Sequence, residues 1–426
     1  MPKISCLRGL EILDSRGRPT VMAVCELEGG AVGSASVPSG ASTGAAEALE
    51  LRDGDANRYG GLGCRKAAAN VSGILNNSIS ERSFETQEDF DRAMIELDGT
   101  DNKSRLGANA ILAASLAFAR AAAIERRIPL YEHFAGLLGR APDALPRPTI
   151  NLFSGGKHAG GQTPIQDTLV VPMAARTIDE ALAMTYDVYQ SAVKLALEKY
   201  GARPLTADEG GLAPPFPDAE AMLGDAVEAI KLAGCEPGRD VALALDVAAS
   251  HFYKKGSYHL GDEPLNGGAM IEYVSAWLDR YPIVSVEDGL SENDWESWPR
   301  LRERVSGRAL TLGDDLLCTN PGRIRRAVES GAADALLLKV NQVGTLSEAA
   351  EALEVARDAD WTVTVSARSG ETEDNWLADL AVGWGGNQIK IGSITQSERL
   401  AKYNRLLEIE VETGLPLAGW PGELPR

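Results

Sequence analysis

Six short apolar runs in the second half of the chain lead into charged residues at regular intervals, and that rhythm constrains the fold more than any other feature. VALALD ends at Asp246, PIVSVE at Glu287, ALTLGD at Asp314 and ALLLK at Lys339; VTVSARS carries Arg368 and Ser369, and NQIK ends at Lys390. Counted through Arg368, the intervals from Asp246 to Lys390 are 41, 27, 25, 29 and 22 residues. A (β/α)8 barrel of about 250 residues averages roughly 31 per unit, so each interval holds one helix and its loops. A continuous apolar run bounded by turn residues suits a strand buried on both faces, as in a parallel sheet. Barrel active sites form where the C-terminal ends of the strands meet, so these positions are expected to converge on one mouth. Lys339 taken alone also fits a lysine snorkelling from an edge strand to water. It is not alone.

Composition narrows the function. A chain of 426 residues allows about two or three domains and a large core. Charged residues make up 24% and hydrophobic residues 44%, as in a soluble globular protein. The net charge of −19 argues against a nucleic-acid partner. Cys6, Cys25, Cys64, Cys235 and Cys318 are scattered without CxxC spacing and read as buried thiols of a reducing cytoplasm. The N-terminus has no apolar signal core. The longest apolar stretch, Ile111 to Ala123, is interrupted by Arg120 and too short to span a bilayer.

In chain order, residues 1–36 alternate in a strand-like way, with Gly29 and Gly30 as a turn. The small-residue loop VPSGASTGAAEALELRDGD, Val37 to Asp55, lets backbone approach a ligand closely, or serves only as a connector. Residues 65–135 read as mostly helical, with LGANAILAASLAFARAAA a strong helix of small side chains. The pattern breaks at GLLGRAPDALPRP, which divides the chain into an N-terminal α+β domain, 1–139, and a barrel domain, 140–426.

Blocks spread over nearly the whole chain resemble enolase motifs: DSRGRPTV (14–21), VPSGASTG (37–44), LDGTDNKSRLGANAIL (97–112), DEGG (208–211), VEDGL (286–290), GDDLLCTNP (313–321), LLLKVNQVGTLSE (336–348) and SERLAKYN (397–404). The resemblance implies an α/β fold, with an N-terminal α+β domain and an eight-stranded barrel that opens with a ββαα unit and one antiparallel strand. It also implies a Mg2+-dependent homodimer or higher homo-oligomer acting on a phosphorylated three-carbon acid. In such enzymes a lysine removes the proton beside a carboxylate of 2-phosphoglycerate. The charge that develops is stabilised by magnesium acting as a Lewis acid.

By motif position, the resemblance implies that Asp246, Glu287 and Asp314 hold metal and that Ser42 ligates a second ion. Three strand-end carboxylates without a cation would repel one another. Lys339 matches the base, its pKa expected to fall beside Lys390 and the metals. Lys390 matches the lysine on the substrate carboxylate, and Arg368 and Ser369 match the phosphate clamp, where a guanidinium fork suits phosphate. Glu209 matches the carboxylate that helps the 3-hydroxyl leave, and His158 the loop histidine near the phosphate, although a lone histidine there also suits a structural role.

The chain departs from the family at several points. Ala367 stands where SHRSGETEDT carries a histidine, and Gln166–Asp167 stands where the family has Gln-Glu. His251 replaces a glutamate, Leu10 an arginine of the subunit contact, and Arg18 an asparagine. The first two changes touch the catalytic mouth, removing an imidazole and a methylene. They open room for a larger second substrate, and in this the chain resembles a specialised enolase-like paralogue of phosphonate biosynthesis whose second substrate is a CMP-linked phosphonate. The alternatives are a conventional enolase and a non-catalytic structural or binding relative, the last disfavoured by the intact acids and lysines.

Overall fold

A computed structural model describes residues 2–41, 44–161, 163–201, 205–260 and 263–421. Alternating buried and outward residues at the N-terminus form three antiparallel strands, β1 (Ile4–Leu13), β2 (Pro19–Leu27) and β3 (Val32–Ser36). Asp14 ends β1 by accepting the amides of Arg16 and Arg18 at 2.8 and 2.9 Å, which closes the turn into β2. Against this sheet packs the alanine-rich helix Ala108–Arg126. The contact is close because Gly33 of β3 lacks a side chain: a Cβ there would lie 2.3 Å from the amide nitrogen of Ala121. The helix has 19 residues and is long and apolar enough to cross a membrane, but 83% of its most apolar window is buried inside the protein. It is a core helix.

The second domain is a closed barrel. Its strands are β4 (Arg147–Ser154), β5 (Asp167–Pro172), β6 (Val241–Asp246), β9 (Ile283–Glu287), β10 (Leu310–Gly313), β11 (Ala335–Leu338), β12 (Thr362–Ser366) and β13 (Gln388–Gly392), in that order around the wall. A small hairpin, β7 (Tyr253–Lys254) and β8 (Ser257–Tyr258), projects after β6. β5 runs antiparallel to both β4 and β6, and every other neighbouring pair is parallel. Two helices, Ile178–Tyr200 and Ala219–Leu232, separate β5 from β6, so the barrel opens with the ββαα unit that the resemblance implies.

Several outer helices start on a side-chain cap. Thr177, Asp218, Asn266, Asn320 and Thr345 each accept the amide three residues on, an interaction whose loss costs about 1 kcal/mol. The two domains join over the barrel mouth. Ser39 and Gly370 exchange backbone hydrogen bonds at 2.8 and 2.9 Å, pinning the Val37–Asp55 loop above β12, and Arg120 pairs with Asp374 at 2.7 Å.

Candidate active site

The apolar runs are the barrel strands, and their charged ends share one rim. Asp246 and Glu287 are the last residues of β6 and β9; Asp314 and Lys339 directly follow β10 and β11. Ala367, Arg368 and Ser369 follow β12, and Lys390 lies within β13. Asp167 reaches the same rim from the opposite direction. Because β5 is reversed, its first residue pairs with the last residues of β4 and β6, Ser154 and Asp246. Glu209 comes from the connection between the two helices after β5, where its carbonyl accepts the Ser393 amide at 2.8 Å. His158, Glu209, Asp246, Lys339, Arg368 and Lys390 line one pocket, with Ala367 in its wall.

Each lysine is engaged by acids. Lys390 Nζ lies 2.9 Å from Asp246 Oδ2 and 2.7 Å from Glu287 Oε2; Lys339 Nζ lies 2.5 Å from Asp314 Oδ2. Burial alone would lower the Lys339 amine, but the Asp314 and Glu287 carboxylates together hold it above its ordinary value. The expected depression relied on bound metal engaging these acids; the Asp314 ion pair by itself works the other way. Burial likewise works against Lys390, yet Asp246 and Glu287 hold it well above the usual lysine range. Asp246 is drawn down to about 2 because Lys390 overcomes the opposing effect of burial. Glu287 is pushed well up by burial and by the neighbouring Asp246 carboxylate. Two acids on one ammonium crowd negative charge, and the protonated form of Glu287 is favoured as a result.

A second group sits beside the lysines. His158 Nδ1 lies 2.8 Å from Asp167 Oδ2, and His158 Nε2 lies 3.7 Å from Glu209 Oε1. Ser154 Oγ donates to Asp167 Oδ1 at 2.5 Å, and Asn151 Nδ2 donates to Glu209 Oε2 at 3.0 Å. Burial would lower the imidazole, but Asp167 and Glu209 push it up to about 9, so it is cationic at neutral pH. Gln166 Nε2 donates to Asp246 Oδ2 at 3.1 Å and so joins this group to the Lys390 acids.

Arg368 is held by residues that sequence reasoning passed over. Its Nη1 donates to Glu47 Oε2 and to Asn341 Oδ1, each at 3.0 Å, and its Nη2 to Glu47 Oε1 at 3.2 Å. Ser369 Oγ accepts from Arg16 Nη1 at 3.3 Å. Gln342 Nε2 donates to Asp314 Oδ1 at 2.9 Å, and its Oε1 accepts from Thr319 at 2.6 Å. The polar run VNQ after Lys339 was the available signal for Asn341 and Gln342. Glu47, 321 positions from Arg368, offered none.

The donor set fits magnesium, a hard cation that prefers carboxylate oxygens. Asp246, Glu287 and Asp314 are buried on adjacent strand ends, and a divalent cation would offset the repulsion that disfavours the ionised form of Glu287. Among the described residues, the groups whose ligand atoms all lie within 4.8 Å of one another are Asp288–Asp314–Asp315 and His158–Asp167–Glu209. Asp314 belongs to the first; the wider set of three acids has the lysine ammonium groups at its carboxylates. Ser42 lies outside the described residues.

Comparison with protein-family models gives two matches. One, described as the enolase N-terminal domain, covers residues 4–134, and the other, the enolase C-terminal TIM barrel domain, covers 142–420.

Proposed function

This chain belongs to the enolase family, and from that premise we propose that it removes the proton alpha to the carboxylate of a phosphorylated three-carbon acid, with Lys339 as the base. The observation that carries the reading is the meeting of Lys339, Lys390, Arg368 and Asp246 around one pocket, with Glu287 and Asp314 paired to its two lysines. In this reading Lys390 receives a substrate carboxylate, and Arg368 with Ser369 holds a phosphoryl group. Magnesium held by Asp246, Glu287 and Asp314, with Ser42 toward a second ion, would supply Lewis acidity at the substrate carboxylate. Lys339 serves as a base only with the Asp314 charge otherwise engaged, because their ion pair favours the ammonium.

The finer reading is a paralogue with a second substrate, best matched by carboxyphosphonoenolpyruvate synthase. That enzyme joins a phosphonoformyl unit, delivered as a CMP ester, to a three-carbon acceptor. Support comes from Ala367, which leaves only a methyl group in the pocket wall, and from Asp167, both of whose oxygens are taken by Ser154 and His158. A conventional enolase is the second reading. It is favoured by Glu209, a buried carboxylate 3.7 Å from the cationic His158, so that the pair keeps a transferable proton in the mouth.

One assay separates them. With 2-phosphoglycerate and Mg2+, the specialised enzyme exchanges hydrogen at C2 with little phosphoenolpyruvate, and adding CMP-phosphonoformate gives a coupled product by mass. Turnover to phosphoenolpyruvate at ordinary enolase rates would establish the second reading. Absence of both exchange and turnover would refute proton abstraction.

A further inference from the structure

We propose that Glu47 is the positioning residue of the Arg368 anion clamp. The inference rests on the reading of Arg368 as the group that binds the phosphoryl end of the substrate. Glu47 meets the guanidinium with both carboxylate oxygens, at 3.0 and 3.2 Å, and Asn341 takes a further bond from the same Nη1. Both members of the ion pair are buried, with side chains 4% and 7% exposed. A planar guanidinium gripped by a two-oxygen acceptor has its plane fixed, so the direction of its other donors is fixed with it.

Glu47 is itself anchored on two sides. Its Oε1 accepts the Gly44 amide at 3.0 Å and faces Gln342 Nε2 at 3.5 Å. Gln342 also donates to Asp314, the acid on Lys339, so a single amide separates the clamp from the partner of the base. The orientation of Arg368 is thereby referenced to the group that removes the proton. A phosphorylated acid held by Arg368 is then presented at a fixed distance from Lys339, as a near-attack geometry requires. The carboxylate also stands close to an incoming anion and repels it. Its presence is explained by the orientation it gives the guanidinium, which strengthens binding by more than the repulsion weakens it.

Glu47→Asp isolates that role, because it keeps the charge but withdraws the carboxylate by one methylene and breaks the two-oxygen grip. Calorimetric titration with inorganic phosphate and with 2-phosphoglycerate, in Mg2+, measures both affinity and the fraction of competent sites. The expected result is about tenfold weaker binding of both ligands at unchanged stoichiometry. In an Arg368→Lys background the same substitution should have no further effect, since an ammonium offers no fork to hold. A role confined to folding would lower the stoichiometry and act equally in both backgrounds. Binding within twofold of the parent, or an equal loss in the lysine background, would overturn the assignment of Glu47 alone. If the parent protein binds neither ligand, the clamp reading of Arg368 falls and this inference falls with it.

Discussion

His158 and His133 are buried to nearly the same extent, 8% and 4% exposed, yet one is pushed up to about 9 and the other down to about 4. His158 sits at the barrel mouth between Asp167 and Glu209. His133 lies on the helix Leu130–Leu137, which packs against the barrel helix Trp376–Gly383. Burial lowers it, the Arg126 charge adds to that, and neither ring nitrogen has a hydrogen-bond partner among the described residues. Burial acts in the same direction on both imidazoles; the neighbours decide the outcome. The mouth accumulates charge and balances it, whereas the surroundings of His133 give its ring no partner and keep it neutral.

The largest test of that contrast removes a mouth cation. Lys339→Ala should reduce C2 exchange by about 10²–10⁴-fold while Mg2+ binding, followed by calorimetry, stays nearly intact. Retained exchange would place the base elsewhere.

The two histidines make opposite demands on stability. His158 gains its proton on folding, so its contribution is fully present below pH 6.5 and is lost as pH rises through about 9. His133 stays neutral on folding, so its contribution is present above pH 6.5 and is lost as pH falls toward about 4. Each limb amounts to roughly 3 kcal/mol. Urea unfolding across this range should show His133→Phe flattening the acid limb and His158→Asn the alkaline one. If either variant flattened the other limb, the contrast would be broken.

The smallest effect sharpens the reading of the mouth. Ala367→His combined with Asp167→Glu restores both family residues and should raise phosphoenolpyruvate formation about tenfold, within the range of one positioned acid–base group. An unchanged rate would put the divergence at other positions.

The barrel was legible because a strand buried on both faces leaves an unbroken apolar run, and a charged residue at its end stands out. Asp246, Glu287, Asp314 and Lys339 were found that way. Asp167 was not, since β5 is reversed and its acid precedes the run; only the family motif pointed to it. The pairing of Lys339 was less legible, because its partner Asp314 is 25 positions away and the ion pair depends on side-chain packing. Glu47 and His133 were invisible for a related reason: each is defined by residues brought together only by the docking of the two domains.

The reversed strand has an evolutionary consequence. Its hairpin bend, between Ser154 and Asp167, opens on the catalytic rim rather than at the barrel floor. Both feet of that bend are clamped in the wall, so its span can lengthen or change composition without shifting the register of the sheet. New specificity can therefore be acquired there by insertion that spares His158 and Gln166, with Lys339 on the opposite side of the barrel left untouched.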